Sequence, residues 1–138
     1  MRAVLDVNVT VSASLNRNGP PAKVIQAWLQ GIFDVVVSLK LLEELGRALK
    51  YRKLQKYFTI TEIAELIELF SSEGNLVEDR KESPSICSKD PDDDYVISLA
   101  LSTQSVIVSG DSHLLALSDE IPVYSPADFL EKLLTSFS

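Results

Sequence analysis

Cysteine and histidine are scarce in this sequence of 138 residues, which contains only Cys87 and His113. A single cysteine cannot form a disulfide within the chain, and one cysteine with one histidine makes a zinc site a poor hypothesis. A cysteine–histidine dyad is possible by count, but the neighbours of neither residue favour nucleophilic catalysis. A surface or capping role is the better interpretation of His113.

Long apolar runs and clusters of glycine or proline are also absent. No apolar segment approaches the roughly 20 residues that span a bilayer, and the first residues, "MRAVLDVNV", show no signal-peptide pattern. The 5 glycines and 6 prolines are scattered, so no linker or repeat divides the chain, and 46% hydrophobic residues suffice for a packed core. These features predict a single domain over 1–138, in the cytoplasm and without a membrane partner.

Positive charge is in the minority, because 13 basic residues face 20 acidic ones and the net charge is −7. This balance argues weakly against nucleic acid as a partner. Five of the thirteen basic residues nevertheless lie within ten positions: Arg47, Lys50, Arg52, Lys53 and Lys56. With Tyr51 and Tyr57 interleaved, this basic stretch could bind a phosphate backbone and stack bases. It could equally be the solvated face of a helix end, where basic residues favour the dipole.

The predicted elements alternate between short apolar strands and helices. Strands are predicted at Ala3–Leu5, in "FDVVVS", in "NLVED", at Val106–Val108 and in "IPVYS". The helices between them include one in "SLKLLEELGRALKYRKLQKYF", which starts near Leu41 with Ser38 as N-cap and runs through the basic stretch, and one capped by Thr61. Since the main strands are continuous rather than alternating apolar runs, they predict a parallel sheet with helices on both faces.

Carboxylates occur where such a sheet would bind a ligand. Asp6 and Asp111 both follow a predicted strand, and ligands of parallel α/β sheets bind outside the carboxyl ends of the strands. Asp93 lies in the first turn of the helix before the strand at Val106, and Glu44 lies on the helix after the second strand. If the four acids converge, their repulsion calls for a cation, and hard oxygen ligands suit Mg²⁺ or Mn²⁺.

Each acidic residue also has an ordinary structural interpretation. Asp90 is better explained as a helix N-cap, and Asp93 could simply favour the helix dipole. Asp111 could cap a helix that starts at Ser112, and Glu44 alone resembles a solvated helix residue. Asp6 is harder to explain in this way, because a charge directly after a buried strand must reach a partner or solvent.

Four segments in order carry a family resemblance: "LDVNV", "SLKLLEELGRAL", "DPDDDYVISLAL" and "VIVSGDSHLL". Together with the closing "IPVYSPADFLEKL", they resemble the PIN-domain family, in particular small prokaryotic stand-alone PIN proteins that are VapC-like toxins of toxin–antitoxin systems. The resemblance covers essentially the whole chain. It implies a three-layer α/β/α sandwich with a central, mainly parallel sheet. It also implies a Mg²⁺- or Mn²⁺-dependent ribonuclease, with an RNA substrate, an antitoxin protein as partner and a homodimer.

Motif matching transfers the family's site to individual residues. The catalytic and metal-binding acids fall on Asp6, Glu44, Asp93 and Asp111. Supporting positions fall on Asn8, Asp90 and Ser109, and the basic stretch would position the RNA. Two departures from the family pattern are Val7, where many members have a hydroxyl, and Asp94, where this subgroup often has asparagine. Both leave the four acids intact, but they put the strength of the activity in question.

Three other function classes also place acidic residues at strand ends or share the PIN fold. A response-regulator receiver needs paired acids after its first strand and a lysine near its last, which "VYSPAD" lacks. A haloacid-dehalogenase-type phosphatase needs an aspartate where Asn8 stands. A non-catalytic PIN-fold module that binds RNA or protein is the main alternative, because the presence of four acids does not itself establish activity.

Overall fold

A computed structural model of the chain describes residues 1–79 and 94–136, in which five strands alternate with seven helices. The strands are β1 (Arg2–Leu5), β2 (Asp34–Val37), β3 (Asn75–Leu76), β4 (Val106–Val108) and β5 (Val123–Tyr124). The helices are α1 (Val7–Leu15), α2 (Pro20–Leu29), α3 (Leu39–Leu49), α4 (Ile60–Glu73), α5 (Asp94–Thr103), α6 (Ser112–Leu115) and α7 (Pro126–Ser136).

The five strands form one parallel sheet in the order β3-β2-β1-β4-β5. From β1 the chain builds outwards through β2 to β3, and then adds β4 and β5 on the other side of β1. The direction of winding therefore reverses between β1 and β4, the two central neighbours. In open parallel sheets this reversal opens a crevice at the carboxyl ends of the strands, where ligands bind.

Helices cover both faces of the sheet. Val35, Val36 and Val37 of β2 are at most 1% exposed, although consecutive strand residues point to opposite faces. In β4, Ile107 and Val108 are likewise fully buried. Burial of both faces explains why these strands are uninterrupted apolar runs, and it confirms the predicted three-layer α/β/α arrangement around a parallel sheet.

Helix α1 was not predicted from the sequence. Its nine residues, "VNVTVSASL", include four β-branched side chains, which disfavour helix by intrinsic propensity. Tertiary packing overrides that preference, since Val9, Thr10 and Ala13 are buried on one side of the helix. The helix begins directly after Asp6, so the chain turns away from the sheet at the candidate site.

Two helix starts and one helix end test the sequence predictions. Ser38 caps α3 as predicted, its hydroxyl accepting from the N–H of Leu41 at 3.2 Å. The predicted cap at Thr61 is wrong, because α4 begins two residues earlier with Thr59 in a capping box. Helix α3 also ends at Leu49 and does not run through the basic stretch, since Tyr51 has an extended backbone and a 3₁₀ turn follows at Arg52–Leu54.

Among the described helices, none is long and apolar enough to cross a membrane.

Candidate active site

Asp6 and Ser109 meet across the two central strands. Asp6 follows β1, and its backbone N–H donates to the carbonyl of Val108 at 3.0 Å, which extends the β1–β4 ladder by one bond. Ser109 follows β4, and its hydroxyl donates to Oδ2 of Asp6 at 2.7 Å. Both side chains are buried, Ser109 completely. The end of the sheet thus fixes the Asp6 carboxylate in one orientation.

Asp111 joins this pair through the same serine hydroxyl. The backbone N–H of Asp111 donates to Oγ of Ser109 at 2.9 Å, so Ser109 bridges the two aspartates. The Asp111 carboxylate also caps α6 by accepting from the N–H of His113 at 2.7 Å. Asp111 can therefore cap α6 and belong to the acidic pair at the same time. His113 is half-exposed, with Nδ1 3.8 Å from the same carboxylate oxygen.

The environment of Asp6 opposes its negative charge. Burial raises the pKa of the Asp6 carboxyl above its ordinary value, and the nearby Asp111 carboxylate raises it further. Hydrogen bonds from the Ser109 hydroxyl and the Val7 backbone act in the other direction and lower the pKa, but burial is the largest effect. Burying one carboxylate beside another is energetically unfavourable, and a bound cation would offset this cost.

Glu44 reaches the same cleft from α3. We call this the acidic cleft, a depression of about 400 Å³ whose wall includes Asp6, Asn8, Glu44, Arg47, Tyr51 and Tyr95. Its neighbour Glu43 points elsewhere, into a groove between α3 and α4. Glu44 is therefore the glutamate of this pair that shares a cleft with Asp6. Its carboxylate accepts a hydrogen bond from Arg47 Nη1 at 2.5 Å.

Asn8 separates the acidic cleft from a second depression. That depression, of about 380 Å³, is lined by Asp111 and by residues of α2 and the start of α7. Asn8 is exposed and borders both depressions. Its amide therefore lies between the two places where a substrate could approach the aspartate pair.

The basic stretch is divided by the end of α3. Arg47 borders the acidic cleft, whereas Lys50 borders the groove between α3 and α4. Arg52 and Lys53 form the following 3₁₀ turn, and Lys56 lies beyond it with Nζ 5.1 Å from the Tyr57 ring centroid. Only Arg47 of the five predicted RNA-binding residues thus lines the acidic cleft.

Asp90 and Asp93, the other two acidic residues singled out from the sequence, lie outside the described residues. Within 1–79 and 94–136, no three carboxylate, histidine or cysteine side chains come together closely enough to hold a metal ion. The donor chemistry still fits a hard divalent cation, because Asp6 and Asp111 supply carboxylate oxygens and no positive charge among the described residues compensates Asp6.

Tyr95 is a cleft residue that sequence reasoning missed. It stands in the first turn of α5, directly after the acidic run, and Nζ of Lys40 lies 5.2 Å from its ring centroid. Its position in the sequence could have indicated this role, because Tyr95 follows the predicted acids at the start of a helix that begins at the same end of the sheet. Tyr51, by contrast, was noted from the sequence as part of the basic stretch.

Comparison with known proteins agrees with the fold. The chain is 28% identical to the uncharacterized protein MJ1680 of Methanocaldococcus jannaschii, over 96% of this chain and 91% of that protein. Its fold is similar to a chain in the crystal structure of VapBC2 from Rickettsia felis bound to a DNA fragment from their promoter, with a TM-score of 0.59. That likeness covers 91% of this chain and 97% of the other at 13% identity, so it concerns the fold alone. The model of the PIN domain matches residues 2–113, and the chain therefore belongs to the PIN-domain family.

Proposed function

We propose that this protein is a metal-dependent ribonuclease that hydrolyses RNA phosphodiester bonds. The observation that carries the proposal is the Asp6–Ser109–Asp111 arrangement at the carboxyl ends of the two central strands. A purely structural aspartate would not be buried beside a second carboxylate with a hydroxyl as its only side-chain hydrogen-bond donor among the described residues. Membership of the PIN-domain family supports a nuclease in this place.

The proposed cofactor is Mg²⁺ or Mn²⁺, held by Asp6 and Asp111 together with Asp93 and Glu44. When bound, the cation would lower the pKa of a water molecule and stabilise the leaving oxygen of the phosphodiester. The hydroxyl of Ser109 orients Asp6 for this task, as outer-shell hydrogen bonds commonly do for metal ligands. Asp90 is proposed as a further acidic residue near the site.

Arg47 and Asn8 are suited to contact the substrate. Among the described basic residues, Arg47 lines the acidic cleft. Its guanidinium can release the Glu44 carboxylate and bind an RNA phosphate instead. Asn8 borders both depressions and can hydrogen-bond to sugar or phosphate oxygens. Lys50, Arg52, Lys53 and Lys56 would then contact phosphates farther along the strand.

The proposed biological role is that of the toxin in a toxin–antitoxin system. Its support is the likeness in fold to a chain of VapBC2 and the residue motifs that resemble VapC-like toxins. We propose a small antitoxin with a basic segment, because the carboxylates of the acidic cleft attract positive charge. A homodimer in the cytoplasm completes the proposal.

The function is tested with purified protein and a panel of single-stranded RNAs in Mn²⁺ or Mg²⁺. Wild-type protein is expected to cleave at least one RNA, and EDTA, Asp6→Asn and Asp93→Asn are each expected to abolish the cleavage. Asp34→Asn is the matched control. Asp34 is an exposed aspartate at the start of β2, so it lies at the amino-terminal ends of the strands, away from the candidate site. It should cleave like the wild type.

Two results would contradict the proposal. If Asp93→Asn and Asp6→Asn cleave as fast as wild type after contaminating nucleases are removed, the activity does not come from this site. If the protein binds metal but no RNA in the panel is cut, the non-catalytic binding module becomes the better description.

A further inference from the structure

Two exposed tyrosines flank the 3₁₀ turn after α3, but only one of them belongs to the acidic cleft. Tyr51 is 58% exposed and lines the cleft with Asp6, Glu44 and Arg47. Tyr57 is similarly exposed at 54%, yet it is not part of the cleft wall. The structure therefore separates two side chains that the sequence presents as equivalent members of one basic, aromatic stretch.

Two backbone hydrogen bonds hold Tyr51 at the cleft. The N–H of Tyr51 donates to the carbonyl of Ala48 in the last turn of α3 at 3.2 Å. The carbonyl of Tyr51 accepts from the N–H of Leu54 at 2.8 Å, which closes the following 3₁₀ turn. Since Ala48 and Leu54 also line the cleft, Tyr51 is held between two fixed parts of the same wall.

The ring of Tyr51 is open to a ligand in a way that the other nearby rings are not. Lys56 Nζ lies 5.1 Å from the ring centroid of Tyr57, and Lys40 Nζ lies 5.2 Å from that of Tyr95. In the part of the chain that the structure describes, no ring and no cation lies against Tyr51. An exposed aromatic face thus stands beside carboxylates and an arginine.

A nucleotide in a single strand matches this combination. An aromatic face stacks on a base, a guanidinium contacts phosphate, and carboxylates can hold the cation that accompanies a phosphodiester. In a double helix the bases are stacked within the duplex and cannot reach a side chain on a protein rim. We propose that Tyr51 stacks a base of the single-stranded RNA that the acidic cleft binds, and so positions the strand in the cleft.

This inference rests on the proposed ribonuclease function and names a positioning residue for its substrate. The test is the binding of a single-stranded RNA oligomer that carries one 2-aminopurine, with Ca²⁺ as the divalent cation. Wild type, Tyr51→Ala, Tyr51→Trp and Tyr57→Ala are compared, and a duplex of the same sequence is the second ligand. Thermal unfolding of each variant is measured alongside.

Tyr51→Ala is expected to weaken binding of the single strand by roughly five- to a hundredfold, because one stacking contact is lost. Tyr57→Ala is the matched control and should bind within about twofold of wild type. Tyr51→Trp should retain binding and quench the 2-aminopurine fluorescence through stacking. Should Tyr51→Ala be poorly folded, Tyr51→Phe is measured, and it should keep nearly wild-type affinity since the ring remains.

Equal weakening by Tyr51→Ala and Tyr57→Ala would overturn the inference, as would equal affinity of wild type for duplex and single strand. Cleavage by the wild type is measured with the same oligomer in Mn²⁺. If the RNA is cut but the two tyrosine variants bind alike, the inference fails and the ribonuclease stands. If the single strand binds through Tyr51 and is never cut, the ribonuclease fails and the base-stacking role stands.

Discussion

Asp6 serves two opposing requirements. Its position directly after β1 fixes its carboxylate at the central edge of the sheet, where a ligand can approach. The same position buries a negative charge beside Asp111 and raises the pKa of Asp6. A site that is prepared for a cation is therefore expected to weaken the protein while the cation is missing.

The first prediction follows from this conflict and concerns Asp6→Asn in EDTA. The substitution removes the buried charge and keeps an oxygen that can accept from Ser109, so Tm at pH 7 should rise by a few degrees. Cleavage of RNA should fall by about a hundredfold or more, since a proposed metal ligand is lost. A more stable but inactive variant is the expected combination.

The pH dependence of this gain has a defined sign. Because folding raises the pKa of Asp6, the wild type retains its full stability below the ordinary aspartate value of 3.8 and loses part of it as pH rises through the folded pKa. The advantage of Asp6→Asn should be small at pH 4 and should increase towards neutral pH. Denaturant unfolding at several pH values measures it, and an advantage that is constant with pH would contradict the assignment.

Ser109→Ala tests the hydroxyl that bridges the two aspartates. The variant leaves Oδ2 of Asp6 and the N–H of Asp111 without their buried partner, which should lower the free energy of unfolding by about 1–3 kcal/mol. Metal affinity should fall roughly 10- to 100-fold because Asp6 is no longer oriented.

Ser105→Ala is the matched control for Ser109→Ala. Ser105 is also buried, precedes β4 and hydrogen-bonds to the Thr103 hydroxyl at 2.7 Å, far along the strand from the aspartates. It should cost stability but leave metal affinity unchanged. Calorimetric Mn²⁺ titration separates the two, and equal losses of affinity would show that Ser109 acts only through general stability.

Among the helices, the capping box of α4 gives a prediction that distinguishes two threonines. Thr59 accepts from the N–H of Glu62, and the Glu62 carboxylate accepts from the N–H of Thr59, both at 3.0 Å. Thr59→Ala should therefore destabilise the protein by about 1 kcal/mol. Thr61→Ala should be nearly neutral, because Thr61 is an exposed residue inside the first turn. A chevron or denaturant melt that shows equal losses would contradict the assigned cap.

Helices α4 and α1 show which helix features could be predicted from the sequence and which could not. The spacing Thr59, Ile60, Thr61, Glu62 contains the capping-box signature, so the correct cap was available in the sequence and was overlooked. Helix α1 was not available in this way, since its β-branched residues favour a strand and only packing in the folded molecule makes them helical. The apolar strands were predictable because burial on both faces requires uninterrupted apolar side chains.

The candidate site was predictable where it depends on topology. Asp6 and Asp111 follow parallel strands, and adjacency of β1 and β4 is enough to bring them together through Ser109. The division of the basic stretch was not predictable, because it depends on where α3 ends and on the turn that follows Tyr51. Position along the chain therefore predicted that Asp6 and Asp111 meet, but it did not predict which residues surround them.

The molecule as a whole carries a net charge of −7, so any divalent cation would stabilise it to some degree by screening. A specific site must therefore be distinguished from this general effect. Binding to the folded state alone should stabilise the protein by about 2.7 kcal/mol when free cation is a hundredfold above its Kd. For a domain of this size, that corresponds to a rise in Tm of roughly 10 °C.

We expect Mn²⁺ to raise the Tm of the wild type in a saturable manner, and of Asp6→Asn only slightly, as measured by thermal unfolding at constant ionic strength. Asp34→Asn loses the same charge at the amino-terminal ends of the strands and should respond like the wild type. The comparison distinguishes binding at the aspartate pair from general charge screening, because both variants have the same net charge while only Asp6→Asn lacks the buried carboxylate. If all three proteins show the same rise, Mn²⁺ acts through the overall charge, and the aspartate pair at the centre of the sheet does not bind it.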